Sequence, residues 1–490
     1  MSTSHDRFRV RSAGLTVLFM LFIAPNVLFA QQKEMPLTTS KEALALFIQG
    51  RDKAENLQDP GTLFEQAIQK DPNFALAYLF AGTTNQEFRA NVEKAANLTD
   101  KVSAGEKEWI LSVKDQVDNN QAGRKMHLEQ LLKLYPADKR AHSQMGFYYR
   151  SIGDDTTALR HFTESVKLDK KYAPAYNNIG YSNLTLGRYA DAERAFKTYI
   201  NLIPKNPNPY DSYAELLMKT GKYDQSIKQY NQALTIDPTF INSYRGIGNN
   251  YAYKGDYTKA RESYQLMFDK ATNDGLRDLA LLSAVNSYVT EGKTDKALEV
   301  NQQRLVIAEK AGDSAALIGI HTTAGYILAE SGKLDEAANQ FEKADQLRDD
   351  SSLSATVREN RRFGKMQNHA RLLIARMEFD QAKTQLEEIS QYLSTRKNTN
   401  QDRAYNQSAG FLELGQKNYA KALEYFAKAD PNDPYIWYYQ AVAQEAAGNG
   451  KPAAALYQKL TVWNQLDDTG YALVRTRAIA RGVELAKLHN

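Results

Sequence analysis

The sequence contains no cysteine. That excludes disulfides, thiolate metal sites, a cysteine nucleophile and a lipid-anchored N-terminal cysteine. It is compatible with an oxidising compartment. Proline and glycine are sparse, 13 and 27 among 490 residues, which disfavours a turn-rich all-β chain. No strong charge is present either: 62 Lys and Arg face 58 Asp and Glu, a net +4. A nucleic-acid binder concentrates basic residues, and no such surplus exists here. After residue 30 there is no apolar run long enough to cross a bilayer. What remains is an ordinary globular composition, 42% hydrophobic and 24% charged.

The only long apolar run is at the start. Arg7, Arg9 and Arg11 form a basic segment, and Leu15 to Ala24 an apolar one. Pro25 and Asn26 break it, and Val27-Leu28-Phe29-Ala30 ends on a small residue. That order of parts reads as a signal peptide over 1–30, cleaved after Ala30. The apolar run has ten residues, or sixteen through Ala30, short of the about 20 that a spanning helix needs. Its removal takes away three arginines and one aspartate, leaving 59 basic against 57 acidic groups. The expected mature protein is exported, periplasmic or secreted, and has no integral membrane segment.

Beyond residue 136 the sequence repeats itself. Gly153, Gly187, Gly221 and Gly255 are spaced by 34, as are Ala158, Ala192, Ser226 and Ala260. Apolar residues at steps of three and four mark two amphipathic helices per unit, with the glycine at the turn between them. Small residues (Gly146, Gly180, Ala214, Gly248) let the two helices approach. Large aromatics (Phe162, Phe196, Tyr230, Tyr264) fill the space beside them. Pro204 and Pro238 end second helices, because proline cannot continue them.

At these residues the sequence resembles the tetratricopeptide repeat, a helix–turn–helix unit of about 34 residues. Residues 173–204 follow its pattern closely, with Asn183 standing where an aromatic is usual. The resemblance implies an all-α fold: a right-handed superhelical solenoid of stacked helix–turn–helix repeats, roughly ten to eleven units. The expected organisation is an exposed lead-in at 31–40 and divergent repeats with an irregular helical insert at 41–136. Regular repeats follow at 137–272, longer-period repeats at 273–395, further repeats at 403–469, and a capping helix at 470–490. The insert is placed by Trp109-Ile110-Leu111. The longer period is read from the steps of 37 and 40 between Gly255, Gly292 and Gly332, which predict helices longer by about a turn. Polar breaks at 348–354 and 394–402 are loops or a hinge.

Other chemistry is weakly signalled. Gly292-Lys293-Thr294 lacks the earlier glycine of a phosphate-binding loop, and Gly221-Lys222 and Gly332-Lys333 share its repeat phase, so Gly-Lys is turn chemistry. The seven histidines show no zinc-site spacing. Glu387-Glu388 reads as a solvated face. No cofactor, metal or catalytic residue is expected. Most tyrosines between 172 and 264 occupy packing positions; Tyr172, Tyr181 and Tyr253 fall outside them.

In the family, the first helix of each repeat lines a concave binding surface. Transferred to this sequence, that surface takes in Arg140, Ser143, Phe147 and Arg150, then Asn177, Asn178 and Tyr181. It continues through Asp211, Glu215 and Lys219 to Arg245, Asn249 and Tyr253. Arg245 and Asn249 have the phase of a terminal-carboxylate clamp, but Ser283 stands where its second asparagine belongs. The resemblance implies non-catalytic protein binding: a scaffold or adaptor of a bacterial-type envelope with a protein or peptide partner. The alternative is a module for a small ligand, peptide or glycan. An unrecognised enzyme is the third reading.

Overall fold

The computed structural model describes residues 34–82, 84–348, 355–395, 399–464 and 468–488. The expected signal peptide lies outside them, as do 349–354 and 396–398 of the two polar breaks. Among the described residues every regular element is an α-helix. They fall into two compact units. The first comprises 34–52, 59–152 and 164–169; the second comprises 53–58, 153–163 and 170 onward.

The first unit holds α1 (Lys41–Glu55, as far as 52), α2 (Leu63–Lys70), α3 (Ala75–Tyr78), α4 (Asn85–Ala96), α5 (Ala104–Val117), α6 (Gln121–Leu134) and α7 (Lys139–Ser151). The following helix, α8 (Asp155–Leu168), contributes to both units. Local sequence starts these helices. Thr84 with Glu87, and Ser103 with Glu106, form reciprocal capping boxes at α4 and α5. Phe47, Phe64, Phe74 and Phe80 pack with ring centroids 4.8 to 5.7 Å apart. Residues 34–40, expected as an exposed lead-in, are tied down instead. The Met35 N–H donates to Asp138 (2.7 Å), the Thr38 N–H to Glu106 (3.0 Å) and the Ser40 N–H to Asp71 (3.0 Å). Asp138 and Glu106 already serve helix starts and Asp71 ends α2, and their spare lone pairs hold the segment.

The second unit is a run of helical hairpins. Its helices are α9 (Ala173–Thr185), α10 (Tyr189–Leu202), α11 (Asn208–Lys219), α12 (Tyr223–Ile236), α13 (Asn242–Tyr253), α14 (Tyr257–Lys270), α15 (Asp274–Thr290), α16 (Thr294–Ala311) and α17 (Ser314–Glu330). Then come α18 (Leu334–Arg348), α19 (Ala355–Ala375), α20 (Phe379–Ser394), α21 (Thr399–Gly415), α22 (Tyr419–Phe426), α23 (Pro434–Ala446), α24 (Gly450–Thr461) and α25 (Thr469–Leu488). Consecutive helices pair and stack. From α9 to α14 they run 12 to 14 residues; α15, α16 and α17 run 17 or 18, as the longer glycine spacing predicts.

One turn recurs within the hairpins. Gly187, Gly221, Gly255, Gly292, Gly332 and Gly448 all have φ between +71° and +83°. In each, the next N–H donates to the carbonyl five residues back, as Arg188 does to Asn183 (2.8 Å) and Lys222 to Leu217 (2.8 Å). This is the Schellman arrangement, which needs a left-handed residue. Met377 (φ +61°) and Lys417 (φ +64°) adopt it without glycine, with Glu378 bonding Leu373 and Asn418 bonding Glu413. A side chain in that conformation costs about 1–2 kcal/mol, partly offset by the freedom glycine has in the unfolded chain. Met377 is 76% exposed and loses no packing on truncation. Met377→Gly should therefore stabilise the protein by about 0.5–1 kcal/mol. Urea midpoints check this, and a destabilised variant contradicts it.

Candidate binding groove

The first helices of the hairpins carry the sequence-predicted surface. Four of its residues lie in the first unit. Arg140 reaches Glu34 (3.3 Å) and Asp52 (3.9 Å), Ser143 shares a hydrogen bond with Ser165 (3.1 Å), and the Arg150 guanidinium sits 5.4 Å from the Phe147 ring.

The other nine lie in the second unit, and the structure brings some of them together. Tyr181 donates to Glu215 (2.7 Å), and Ser243 donates to Asp211 (2.6 Å). Burial pushes the Asp211 carboxyl up, and the neighbouring Glu215 charge pushes it further, to about 7 against an ordinary 3.8. Burial likewise raises Tyr181, with Glu215 adding to it, so its hydroxyl stays a donor. Asn178 bonds Pro174 of its own helix (2.9 Å). Asn177 and Arg245 are half-buried on their helices. Asn249 is buried and accepts from the Tyr264 hydroxyl (2.8 Å), a tie between the two helices of one hairpin.

The Asp211 environment gives a pH dependence. The folded chain holds that proton more tightly than the unfolded chain does. The associated stability is fully present below about pH 4 and is lost as pH rises through about 7. The gap caps the change at about 4 kcal/mol. Asp211→Asn should flatten this part of the profile. Urea midpoints of both proteins at acidic and alkaline pH decide it; parallel profiles would refute the assignment.

Lys219 and Tyr253, at the C-terminal ends of α11 and α13, meet the chain's own C-terminal segment. Lys219 Nζ lies 4.4 Å from the Trp463 ring centroid. Tyr253 stacks on Tyr223 (5.8 Å) and carries the Arg475 guanidinium at 5.3 Å. Asn464 accepts from the Tyr223 hydroxyl (3.0 Å) and donates to the Met218 carbonyl (3.0 Å). Thr469 donates to Asn286 (2.8 Å), Thr476 to the Thr290 carbonyl (2.6 Å), and Arg477 to Glu330 (2.8 Å). Thus α25 packs on α23 and α24, the contact expected of a terminal cap, and also lies along the ends of α13, α15 and α17. The sequence reading missed this second contact. Its one signal is the density of Trp, Asn, Thr and Arg between 463 and 477.

A polar cluster around Glu330 was also missed. Glu330 accepts from Tyr435, Tyr439 (3.0 Å) and Arg477 (2.8 Å), and Arg371 is 3.7 Å away. Elsewhere, His127 contacts Glu108 (2.6 Å), His321 contacts Gln340 (2.8 Å) and His369 contacts Gln385 (2.5 Å). Lys293, in the Gly-Lys-Thr sequence, pairs with Glu291 (2.6 Å).

Repeated helical hairpins with one shared turn define an all-α solenoid of the helix–turn–helix class. Tetratricopeptide repeat family models match residues 173–206, 214–252 and 408–467. The chain therefore carries tetratricopeptide repeats in three segments, and in general terms such repeats support a protein-interaction scaffold. A tetratricopeptide repeat protein from Parabacteroides merdae ATCC 43184 is a similar solved structure. It is 15% identical, with 52% of this chain and 96% of that chain covered, at a TM-score of 0.39. PilF of Pseudomonas aeruginosa is 16% identical over 43% of this chain and 93% of that one, at 0.34. A thermophilic repeat protein from Thermus thermophilus, TTC0263, is 20% identical over 37% and 96%, at 0.31. No curated protein matches the sequence.

Proposed function

We propose that this protein is a non-catalytic adaptor, exported to a bacterial-type cell envelope, that holds a partner protein or peptide on the first-helix face of its repeats. One observation carries the reading: the ends of α13, α15 and α17 already hold a helix, α25, and the end of α11 holds Trp463 ahead of it, through rings, hydroxyls and guanidiniums. A surface built that way suits an amphipathic helical segment of a partner. Export rests on the basic and apolar order of residues 1–30.

The test is crosslinking capture from an envelope extract with the chain from residue 31 as bait. The control is Arg245→Glu, since Asn249→Ala would strip a buried hydroxyl of its acceptor and test packing instead. A stoichiometric partner, crosslinked within 177–253 and lost in the variant, supports the reading. A partner retained by the variant moves the site elsewhere, and the absence of any partner favours the small-ligand alternative.

A further inference from the structure

Four first helices, α17, α19, α21 and α23, line a half-open cavity of about 310 Å3. That lies at the lower end of small-molecule sites, roughly 300–1,000 Å3. Its walls are of two kinds. Ile374, Phe411 and Leu414 are apolar, while Arg371, Glu330 and Gln367 are polar.

The wall carries one cation and one anion, Arg371 and Glu330, and a second guanidinium, Arg477, reaches Glu330 from outside it. Glu330 carries the one carboxylate, and it is already taken by Arg477, Tyr435 and Tyr439. The Arg371 guanidinium lies against two rings, 4.2 Å from the Tyr326 centroid and 5.2 Å from that of Tyr435. Its Nη2 donates to the Tyr435 hydroxyl (2.6 Å) and is 3.7 Å from Glu330. A guanidinium has five donors in a planar fork. Among the described residues, Nε and Nη1 of Arg371 have no acceptor. Two guanidiniums thus share one carboxylate: Arg477 is about half exposed, and Arg371, the more enclosed of the two, keeps part of its fork for another anion. Gln367 adds a second unmet donor: its Oε1 accepts from Ser408 (2.5 Å), while its buried Nε2 has no partner.

We infer that this cavity binds a small monocarboxylate with an apolar or aromatic body. The carboxylate takes the free side of the Arg371 fork, which matches its planar geometry. The body packs against Ile374, Phe411 and Leu414. The Tyr326 and Tyr435 rings and the Tyr435 hydroxyl already restrain the guanidinium, so little side-chain freedom is lost on binding. The cavity shares α17 and Glu330 with the α25 contact but lies outside residues 177–253, where the partner is expected, so calorimetry and crosslinking report on the two separately.

Calorimetry on the purified protein tests it, with phenylacetate, indole-3-acetate and octanoate as probes and their primary amides as uncharged counterparts. At least one acid should bind saturably, with its amide weaker by about tenfold or more. Arg371→Met should erase the difference between acid and amide. Because that change disturbs a buried charge, Leu414→Trp provides a second arm: it fills the cavity, leaves the charges in place, and should abolish binding of acid and amide alike. Circular dichroism confirms that both variants fold. No saturable binding by any of the three acids, equal binding of acid and amide to the unmodified protein, or binding unchanged in Leu414→Trp overturns the inference.

Discussion

Glu330→Ala should cost about 3–5 kcal/mol, the range for removing one partner from a buried ionic cluster. The carboxylate joins three helices: its own α17, α23 through Tyr435 and Tyr439, and α25 through Arg477. Burial pushes its carboxyl up, but the Tyr435 hydroxyl and the Arg371 and Arg477 guanidiniums outweigh this and hold it below the ordinary value. Its contribution is therefore present above about pH 4.5 and lost as pH falls through the lowered value. Without it, Arg371 and Arg477 repel each other and two tyrosine hydroxyls lose their acceptor. Glu330→Gln keeps the shape and should lie between the two. Denaturant midpoints followed by tryptophan fluorescence report on it, since Trp437 and Trp463 both belong to this end of the chain. A loss below about 1 kcal/mol would show that the cluster is only a solvated set of charges.

The second large effect is at Gly248. A methyl group there would stand 2.3 Å from the Tyr264 ring. Gly248→Val must push that ring aside, at about 1–3 kcal/mol for overpacking. Displacing it also breaks the bond from Tyr264 to Asn249, on the order of 1 kcal/mol more. Tyr264→Leu makes room. The double variant should then cost measurably less than the two single costs added together. Strict additivity in a double-mutant cycle would place the ring elsewhere. The same close fit recurs at Gly180 on Phe196 (2.4 Å), Gly325 on Phe341 (2.3 Å) and Gly410 on Phe426 (2.5 Å).

These pairs explain why the hairpins were legible in the sequence. A small residue opposite a ring and a glycine at the turn are local constraints, written within one period of 34 residues. Where the turn is made by Met377 and Lys417, the marker is missing although the backbone is the same. The candidate surface was legible only in part. The spacing of Asp211, Glu215 and Asn249 on first helices followed from the repeat. That Asn249 serves Tyr264 and that Lys219 lies under Trp463 did not. The second contact joins positions far apart in the chain, and periodicity carries no information about such a pairing. The same holds for Arg371 and Glu330, which look like ordinary surface charges in the sequence.

The return of α25 has a consequence for how the second unit comes apart. In an open array each repeat touches only its neighbours, so the ends fray and stability is nearly a sum over units. Here Asn464, ahead of α25, bonds Met218 across 246 positions, and Arg477, on α25, bonds Glu330 across 147. Those links close a long loop, which is slow to form because closure entropy must be met before the contacts reward it. Once closed, α11 to α24 can no longer peel away one hairpin at a time. Opening the middle of the array requires the last helix to let go first, which turns a string of separable units into one cooperative block.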